Sequence, residues 1–213
     1  MRRRALLAAF VLALPGTLHA APARPAALTP QDRADLARIE AYLNGLHTLK
    51  ARFLQIAPDG STSGGTTWLD RPGRMRFQYD KPSPLLLVAG HGLFVFYDRE
   101  LHQTTNIPLE STPLGLLLRE NLTLSGDVTV TGLARLPGQI QVTLARTQSP
   151  GDGSLTLVFA DAPLALRQWA VLDAQRQETR VTLFEVQVGG SFDAGMFTFV
   201  DPKLVPGSDR YYQ

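Results

Sequence analysis

From residue 51 onward the chain is a series of short apolar runs separated by turns that contain Gly or Pro. Runs of this length at hairpin spacing predict about a dozen consecutive strands and favour one antiparallel sheet or barrel. A single sheet of so many strands must curl, and its concave face then needs apolar cover. Turns are predicted at 59–60 and 64–65, and the predicted strands cover residues 51–56, 66–70, 74–79, 85–89, 93–97, 102–106, 127–134, 139–145, 154–160, 164–173, 178–188 and 196–199.

Two helices are predicted as that cover. The first spans 29–50, with Thr29 as N-cap, Pro30 at the first helical position and an apolar stripe at three- and four-residue spacing, formed by Leu36, Ile39, Leu43 and Leu46. The second spans 112–119, where Thr112 is the cap and Pro113 follows it. The pattern therefore predicts a mainly β, α+β fold in which two apolar helices lie against a curved sheet.

The amino terminus has the three parts of a secretory signal peptide: Arg2 to Arg4, an apolar stretch over 5–14, and small residues around 19–23. An apolar stretch of about 10 residues is too short to span a bilayer, which needs about 20. We therefore expect a leader over 1–20, cut between 20 and 23, and one soluble domain over 24–213 in the periplasm. Because the chain has no Cys, it also lacks a cysteine that could be lipidated.

Charge and motif content exclude several functions. Loss of the three leader arginines, with no acid beside them, lowers the formal charge from +2 to −1, and no basic cluster remains to bind nucleic acid. There is no nucleophile elbow, phosphate-binding loop or metal-spaced His pair, and His47, His91 and His102 stand apart in sequence. His91 lies between two glycines and is expected in a hairpin turn. We predict no enzyme activity, no metal and no cofactor.

Arg71 interrupts the apolar pattern, because it lies between an apolar run and the Pro72-Gly73 turn. A strand-end arginine in solvent is one interpretation. If the side chain points inward, it must find hydrogen-bond partners or cost several kcal/mol. The residues themselves leave both interpretations open.

Residue types and order together resemble the LolA family of periplasmic outer-membrane lipoprotein carriers, from residue 29 to the carboxyl end. The segments that carry the resemblance are 68–72 (Trp-Leu-Asp-Arg-Pro), 75–77 (Met-Arg-Phe), 92–98 (Gly-Leu-Phe-Val-Phe-Tyr-Asp), 112–114 (Thr-Pro-Leu) and 192–199 (Phe-Asp-Ala-Gly-Met-Phe-Thr-Phe). The resemblance implies an incomplete, strongly curved antiparallel β-barrel of about eleven strands, whose helical lid closes an apolar cavity for acyl chains.

The resemblance also implies roles for individual residues and partners. Arg71 would be a lid latch that hydrogen-bonds the lid helices. The cavity would be lined by apolar residues of the helices and of the first strands, namely Leu43, Leu46, Trp68, Met75, Phe77, Tyr79, Leu87, Phe94, Phe96, Leu114, Leu116 and Leu117. The expected partners are lipoprotein or lipid acyl chains, an inner-membrane lipoprotein-releasing transporter and an outer-membrane acceptor, and the expected state is a monomer.

Met75 departs from the family pattern, since the best-known carriers have an aromatic residue there. A flexible thioether side chain adapts to irregular ligands, so the substrate stays open. One alternative is a carrier for a different lipid or glycolipid in a dedicated envelope pathway. The other is a non-enzymatic periplasmic adaptor that binds protein through an exposed sheet edge.

Overall fold

The computed structural model describes residues 22–205, so the predicted leader lies outside the described residues. The described chain contains one α-helix, α1 (Pro30–Gly45), and eleven strands. The strands are β1 (Thr48–Ile56), β2 (Thr62–Asp70), β3 (Arg74–Tyr79), β4 (Leu85–Gly90), β5 (Leu93–Asp98), β6 (Gln103–Pro108), β7 (Val128–Leu136), β8 (Gln139–Arg146), β9 (Ser154–Ala160), β10 (Ala165–Leu172) and β11 (Glu178–Val188). Short 3₁₀ turns lie at Leu109–Ser111, Pro113–Leu116, Pro150–Asp152 and Ala194–Phe197.

All eleven strands form one antiparallel sheet in the order β6-β5-β4-β3-β2-β1-β11-β10-β9-β8-β7. Two meanders, β1 to β6 and β7 to β11, are joined where β1 pairs with β11. The terminal strands β6 and β7 do not pair with each other, so the barrel stays open. The register shifts in the β1–β11, β7–β8 and β9–β10 pairs, and such bulges add local twist. The predicted incomplete, curved antiparallel barrel is confirmed.

Gly64 and Gly65 do not form the predicted turn but lie inside β2. Gly65 pairs with Phe53 of β1, and a Cβ on Gly65 would lie 2.2 Å from the Gln78 carbonyl oxygen and 2.7 Å from the Phe53 ring. Glycine is needed there because an aromatic ring packs directly on the backbone. The glycine pair therefore marks a close approach within the sheet.

Helix α1 begins as predicted and ends five residues early. Thr29 and Asp32 form a capping box, in which the Thr29 N–H donates to Asp32 Oδ2 over 2.7 Å and the Asp32 N–H donates to Thr29 Oγ1 over 3.1 Å. The helix stops at Gly45, and Thr48 already belongs to β1. Leu49, Ala51 and Phe53 are buried with the two-residue period of a strand, so sheet pairing outweighs the helical continuation to residue 50.

The second predicted helix is reduced to one 3₁₀ turn at Pro113–Leu116, capped by Thr112 as expected. We call residues 109–124, which connect β6 towards β7, the lid segment. The segment runs across the open side of the barrel and buries four leucines against α1 and the sheet, Leu116, Leu117, Leu118 and Leu122. Its apolar covering role therefore does not depend on a regular helix.

The predicted strand at 196–199 is wrong, because this stretch holds a 3₁₀ turn at Ala194–Phe197. The carboxyl-terminal stretch lies on the convex face, where Phe199 packs on Tyr97 with ring centroids 5.2 Å apart. The His91 hairpin is confirmed between β4 and β5, with positive φ at His91 and Gly92. Among residues 22–205, no helix is both long and apolar enough to cross a bilayer.

Candidate functional site

An apolar cavity of about 420 Å³ opens between the concave face of the sheet and the lid segment. Its wall is formed by side chains of β3 to β6, β10, β11 and the lid segment, together with polar residues at its rim: Gln55, Phe77, Tyr79, Leu87, Phe94, Phe96, Ile107, Ser111, Thr112, Pro113, Leu114, Asp152, Val171, Asp173, Ala174, Gln175, Thr179 and Val181. This volume lies within the range of about 300–1,000 Å³ that is typical of small-molecule sites.

Aromatic rings stiffen one wall of the cavity. Phe77 stands edge-on to Phe53 and to Trp169, with ring centroids 4.9 Å and 6.1 Å apart. Phe77, Leu87 and Phe96 are register partners on adjacent strands and therefore share the concave face. Edge-to-face pairs of this kind add to the stability that burial alone provides. The wall therefore has a defined shape beside the less regular lid segment.

One polar pair lies within the apolar wall. The Tyr79 hydroxyl donates to Gln55 Oε1 over 2.8 Å. Burial raises the pKa of Tyr79 to about 12, although the hydrogen bond to Gln55 acts in the opposite direction. Tyr79 therefore stays neutral at physiological pH, and its hydroxyl is satisfied without water.

Six of the residues predicted to line the cavity do line it: Phe77, Tyr79, Leu87, Phe94, Phe96 and Leu114. Five others lie in the closed core between α1, the lid segment and the sheet, and do not contact the cavity: Leu43, Leu46, Met75, Leu116 and Leu117. Each of these five is almost fully buried.

The prediction that Trp68 lines the cavity is wrong, because Trp68 lies on the convex face. Its register partners are Lys50 and Arg76, and Lys50 Nζ lies 5.9 Å from the Trp68 ring centre. Trp68 lines a separate, more polar groove of about 630 Å³ together with Arg76, Gln78 and the carboxyl-terminal stretch. Successive strand residues point to opposite faces, so Trp68 cannot share the cavity with Phe77. Trp68 therefore does not line the cavity.

Sequence reasoning missed the far wall of the cavity. Val171 and Val181 come from β10 and β11 and form this far wall, and Ile107 of β6, on the near wall, was missed as well. Val181 alternates with polar neighbours in a run that was predicted as a strand, and this alternation could have identified it as inward-facing. Val171 has apolar neighbours on both sides and Ile107 lies just beyond a predicted strand, so alternation does not identify either of them. Only the sheet order brings β10 and β11 opposite β3 to β6.

Arg71 is buried, with 6% of its surface exposed, and its guanidinium donates to backbone carbonyls of both covering elements. Nη1 donates to Leu43 O and, over 3.2 Å, to Leu46 O at the end of α1. Nε donates over 2.9 Å to Arg119 O, and Nη2 donates to the same oxygen and over 3.4 Å to Glu120 O. The solvent interpretation of Arg71 is therefore wrong.

The hairpin turn around Arg71 adds two backbone bonds to the same region. The Arg71 N–H donates to His47 O, and the Gly73 N–H donates to Leu118 O, both over 2.8 Å. Burial lowers the pKa of Arg71, but a guanidinium remains protonated in proteins. A permanent cation with four carbonyl partners thus joins the β2–β3 hairpin to α1 and to the lid segment.

The amino-terminal half of α1 is held differently, by ion pairs. Arg135 of β7 reaches Asp32 Oδ1 over 2.6 Å and Asp35 Oδ2 over 2.5 Å, and Arg38 reaches Asp161 over 3.0 Å. Hydrogen bonds from the Thr29 backbone and side chain and from Arg135 lower the pKa of Asp32 to about 2. The two ends of α1 are therefore attached to the sheet by different chemistry.

Comparison with known proteins supplies the family. The family model described as "Outer membrane lipoprotein carrier protein LolA" matches residues 44–200. A relative from Methylococcus capsulatus, named outer-membrane lipoprotein carrier protein, is 30% identical over 189 residues, covering 84% of this chain and 88% of the relative. A relative of the same name from Pseudomonas aeruginosa is 31% identical over 197 residues, with the same coverage.

The matched region contains the β2–β3 hairpin with Arg71, the cavity wall and the lid segment. It covers most of the chain, and the similarity to the named relatives extends over more than four fifths of it. The chain therefore belongs to the LolA family of outer membrane lipoprotein carrier proteins.

Proposed function

We propose that this protein is a periplasmic carrier that takes the acyl chains of lipoproteins into its cavity and moves them from the inner to the outer membrane. The observation that carries the proposal is the apolar cavity beneath a cover that Arg71 holds to the sheet. The names of the relatives support lipoproteins as the cargo. The proposed partners are an inner-membrane releasing transporter and an outer-membrane acceptor, and the carrier acts as a monomer without catalysis.

The proposed localisation follows from the amino-terminal pattern. Residues 1–20 act as a cleavable leader, with the cut between 20 and 23, and residues 24–213 form the mature single domain. Relatives named as outer-membrane lipoprotein carriers support this compartment. A carrier that crosses an aqueous space must hide its cargo from water, and a lidded cavity provides that shelter.

Holding and releasing acyl chains place opposite demands on the site. Each methylene that leaves water contributes about 0.8 kcal/mol, so a dozen of them provide about 10 kcal/mol. Release is then the harder step. A closed lid that Arg71 stabilises competes with the ligand and lowers its net affinity by the free energy of opening. In this role Arg71 is the lid latch.

The acyl chains contact two groups of residues in this proposal. Phe77, Tyr79, Leu87, Phe94, Phe96 and Leu114 already line the cavity. Leu43, Leu46, Met75, Leu116 and Leu117 join them when α1 and the lid segment separate from the sheet. The rim residues Asp152 and Asp173 are the charged groups of the described cavity lining, so the charged rim faces water while the acyl chains lie inside.

The experiment changes one cavity residue that tolerates substitution. Phe96 lines the cavity yet is 42% exposed, so Phe96→Glu should leave the fold intact while it places a charge where an acyl chain lies. Moving a charge next to buried apolar groups is costly. We expect binding of a fluorescent acyl ligand to weaken by at least about tenfold, which corresponds to about 1.4 kcal/mol.

Leu101→Glu is the matched control. Leu101 is 68% exposed in the β5–β6 turn and does not line the cavity. The control should bind the acyl ligand as the wild type does, and circular dichroism should show both variants folded. Equal acyl binding by folded Phe96→Glu and wild type would contradict the proposed site.

A further inference from the structure

Asn44, in the last turn of α1, pairs with the backbone of Leu122 in the lid segment. Its Nδ2 donates to Leu122 O over 3.0 Å, and the Leu122 N–H donates to Asn44 Oδ1 over 2.9 Å. One side-chain amide thus satisfies both backbone groups of one residue, as a neighbouring strand would. The Leu122 side chain is buried. Loss of the Asn44 amide would therefore leave the Leu122 N–H and carbonyl without hydrogen-bond partners, which costs free energy.

Glu40 repeats the contact one helical turn earlier. Its Oε2 accepts from the Leu124 N–H over 2.8 Å. Residues 40 and 44 lie on one helix face, and both contact the short stretch 122–124 of the lid segment, so the two contacts run side by side. Three hydrogen bonds therefore join the carboxyl-terminal half of α1 to residues 122–124.

Bonds of a different set join these two elements to the sheet hairpin. Arg71 donates to both elements, to Leu43 and Leu46 on α1 and to Arg119 and Glu120 on the lid segment. The Gly73 N–H adds the bond to Leu118 O. Opening that keeps the Asn44 and Glu40 contacts breaks this hairpin set and the bond over 3.1 Å from the Leu166 N–H of β10 to the Tyr42 hydroxyl of α1. Separate movement of either element would also break the contacts between them.

We propose that α1 and residues 117–124 open as one body, and that Asn44 is the positioning residue that couples them. The body turns about the charged amino-terminal half of α1, where Arg135 holds Asp32 and Asp35. Release of one arginine then frees both parts of the cover together. This inference rests on the lid-latch function proposed for Arg71 and adds how the two covering elements share it.

Amide hydrogen exchange distinguishes the two kinds of movement within one molecule. The Gly73 N–H bonds across the boundary between lid and sheet, whereas the Leu122 and Leu124 N–H groups bond within the proposed body. In Arg71→Leu, exchange at Gly73 should accelerate by about tenfold or more, the factor that one charge-assisted hydrogen bond provides. Exchange at Leu122 and Leu124 should stay within about threefold of the wild type.

The double variant Arg71→Leu/Asn44→Ala tests the coupling directly. The Leu122 and Leu124 amides should now exchange about as fast as the Gly73 amide, although Glu40 is unchanged. The reason is that the two Asn44–Leu122 hydrogen bonds, which couple α1 to residues 117–124, are lost. Asn44→Asp keeps the acceptor for the Leu122 N–H but loses the donor. In the Arg71→Leu background, its exchange rates at Leu122 and Leu124 should therefore lie between those of Asn44→Ala and those of wild-type Asn44. The matched control is Asn121→Ala, an exposed asparagine next to Leu122, which should change neither amide.

Each outcome decides one of the two proposals. Leu122 and Leu124 amides that accelerate together with Gly73 in Arg71→Leu would overturn the single body while leaving the latch intact. An unchanged Gly73 amide in Arg71→Leu would instead overturn the latch. The coupling is then tested in the single variant Asn44→Ala. Faster exchange at both Leu122 and Leu124 would support it, and an unchanged exchange rate at Leu124 would overturn it.

Discussion

At the scale of the residue, Arg71 shows how a buried cation can be tolerated. A charged group without partners inside a protein costs several kcal/mol, so each guanidinium nitrogen must find an acceptor. Here the acceptors are backbone carbonyls of Leu43, Leu46, Arg119 and Glu120. Because these carbonyls come from two elements, a change at Arg71 alters the attachment of both to the sheet.

Arg71→Leu should therefore shift the balance between closed lid and bound ligand. Each charge-assisted hydrogen bond contributes about 1.5–3 kcal/mol to the closed form. With that competition removed, we expect the variant to bind an acyl ligand at least about tenfold more tightly, since 1.4 kcal/mol is a factor of ten. Transfer to acceptor membranes should be slower. The measurements are equilibrium binding and transfer of a labelled acyl ligand.

Two further variants give this prediction its controls. Arg71→Lys should restore transfer only in part, because an ammonium group cannot reproduce the planar fork that reaches both elements. Arg33→Leu removes an exposed arginine of α1 and should change neither affinity nor transfer. Weaker binding with faster transfer in Arg71→Leu would make Arg71 a direct ligand contact instead of a latch.

At the scale of the element, the two ends of α1 are held in different ways. The amino-terminal end forms ion pairs with Arg135, whereas backbone carbonyls at the carboxyl-terminal end accept hydrogen bonds from Arg71. Asp35 shows the balance at the charged end: burial would raise its pKa, but hydrogen bonds from Arg135, Gln31 and Arg38 lower it overall. Hydrogen bonds from Thr29 and Arg135 lower the pKa of Asp32 to about 2. Both carboxylates therefore stay ionised in the folded protein at a pH where the unfolded chain has begun to protonate.

The acid stability of the protein should reflect this end of α1. A carboxylate with a lowered pKa contributes stability above its unfolded value, and that contribution is lost as the pH falls. For Asp32 the loss should occur between pH 3.8 and about 2. The free energy of unfolding, measured with urea over this pH range, should fall less for Asp32→Asn than for the wild type. Asp32→Asn should also be less stable than the wild type at pH 7.

Glu100→Gln is the control for this prediction, because Glu100 is exposed in the β5–β6 turn. It should keep the wild-type fall in stability between pH 4 and pH 2. An Asp32→Asn variant that loses as much stability over this range as the wild type would show that the Asp32 carboxylate does not contribute to acid stability.

At the scale of the whole molecule, the order of the strands creates the site. The chain runs outward from β1 to β6, crosses the open side as the lid segment, and returns from β7 to β11 beside β1. The crossing connection thus lies over the concave face and becomes part of the cover. Within residues 22–205, one chain path therefore provides both the wall and the cover of the cavity.

The identity of the cargo is a property of this whole cavity. We expect mass spectrometry of the protein purified from its native periplasm to find lipoprotein-derived acyl chains in association with it. The extraction should be repeated with Phe96→Glu, which should carry less. Free lipid or glycolipid in place of lipoprotein would favour the dedicated lipid pathway, and a protein partner without lipid would favour the sheet-edge adaptor.

Local sequence patterns were sufficient for most of the elements. Strand alternation predicted ten of the eleven strands to within a few residues of their positions, apart from the longer β2, and Thr29 with Pro30 identified where α1 begins. These features depend on neighbouring residues, which is why sequence alone shows them. The requirement that an inward-pointing Arg71 find acceptors is equally local, because desolvation is a property of the charge itself.

Only the tertiary structure decided where those elements face and what they touch. Trp68 and Phe77 are both aromatic residues of neighbouring strands, but strand register places them on opposite faces. The glycine pair at 64–65 was predicted as a turn, because the sequence does not show that the Phe53 ring of the neighbouring strand packs on Gly65. The four carbonyl partners of Arg71 lie 25 to 49 residues away in sequence. A local pattern can require such partners, but only the folded chain path can bring them together.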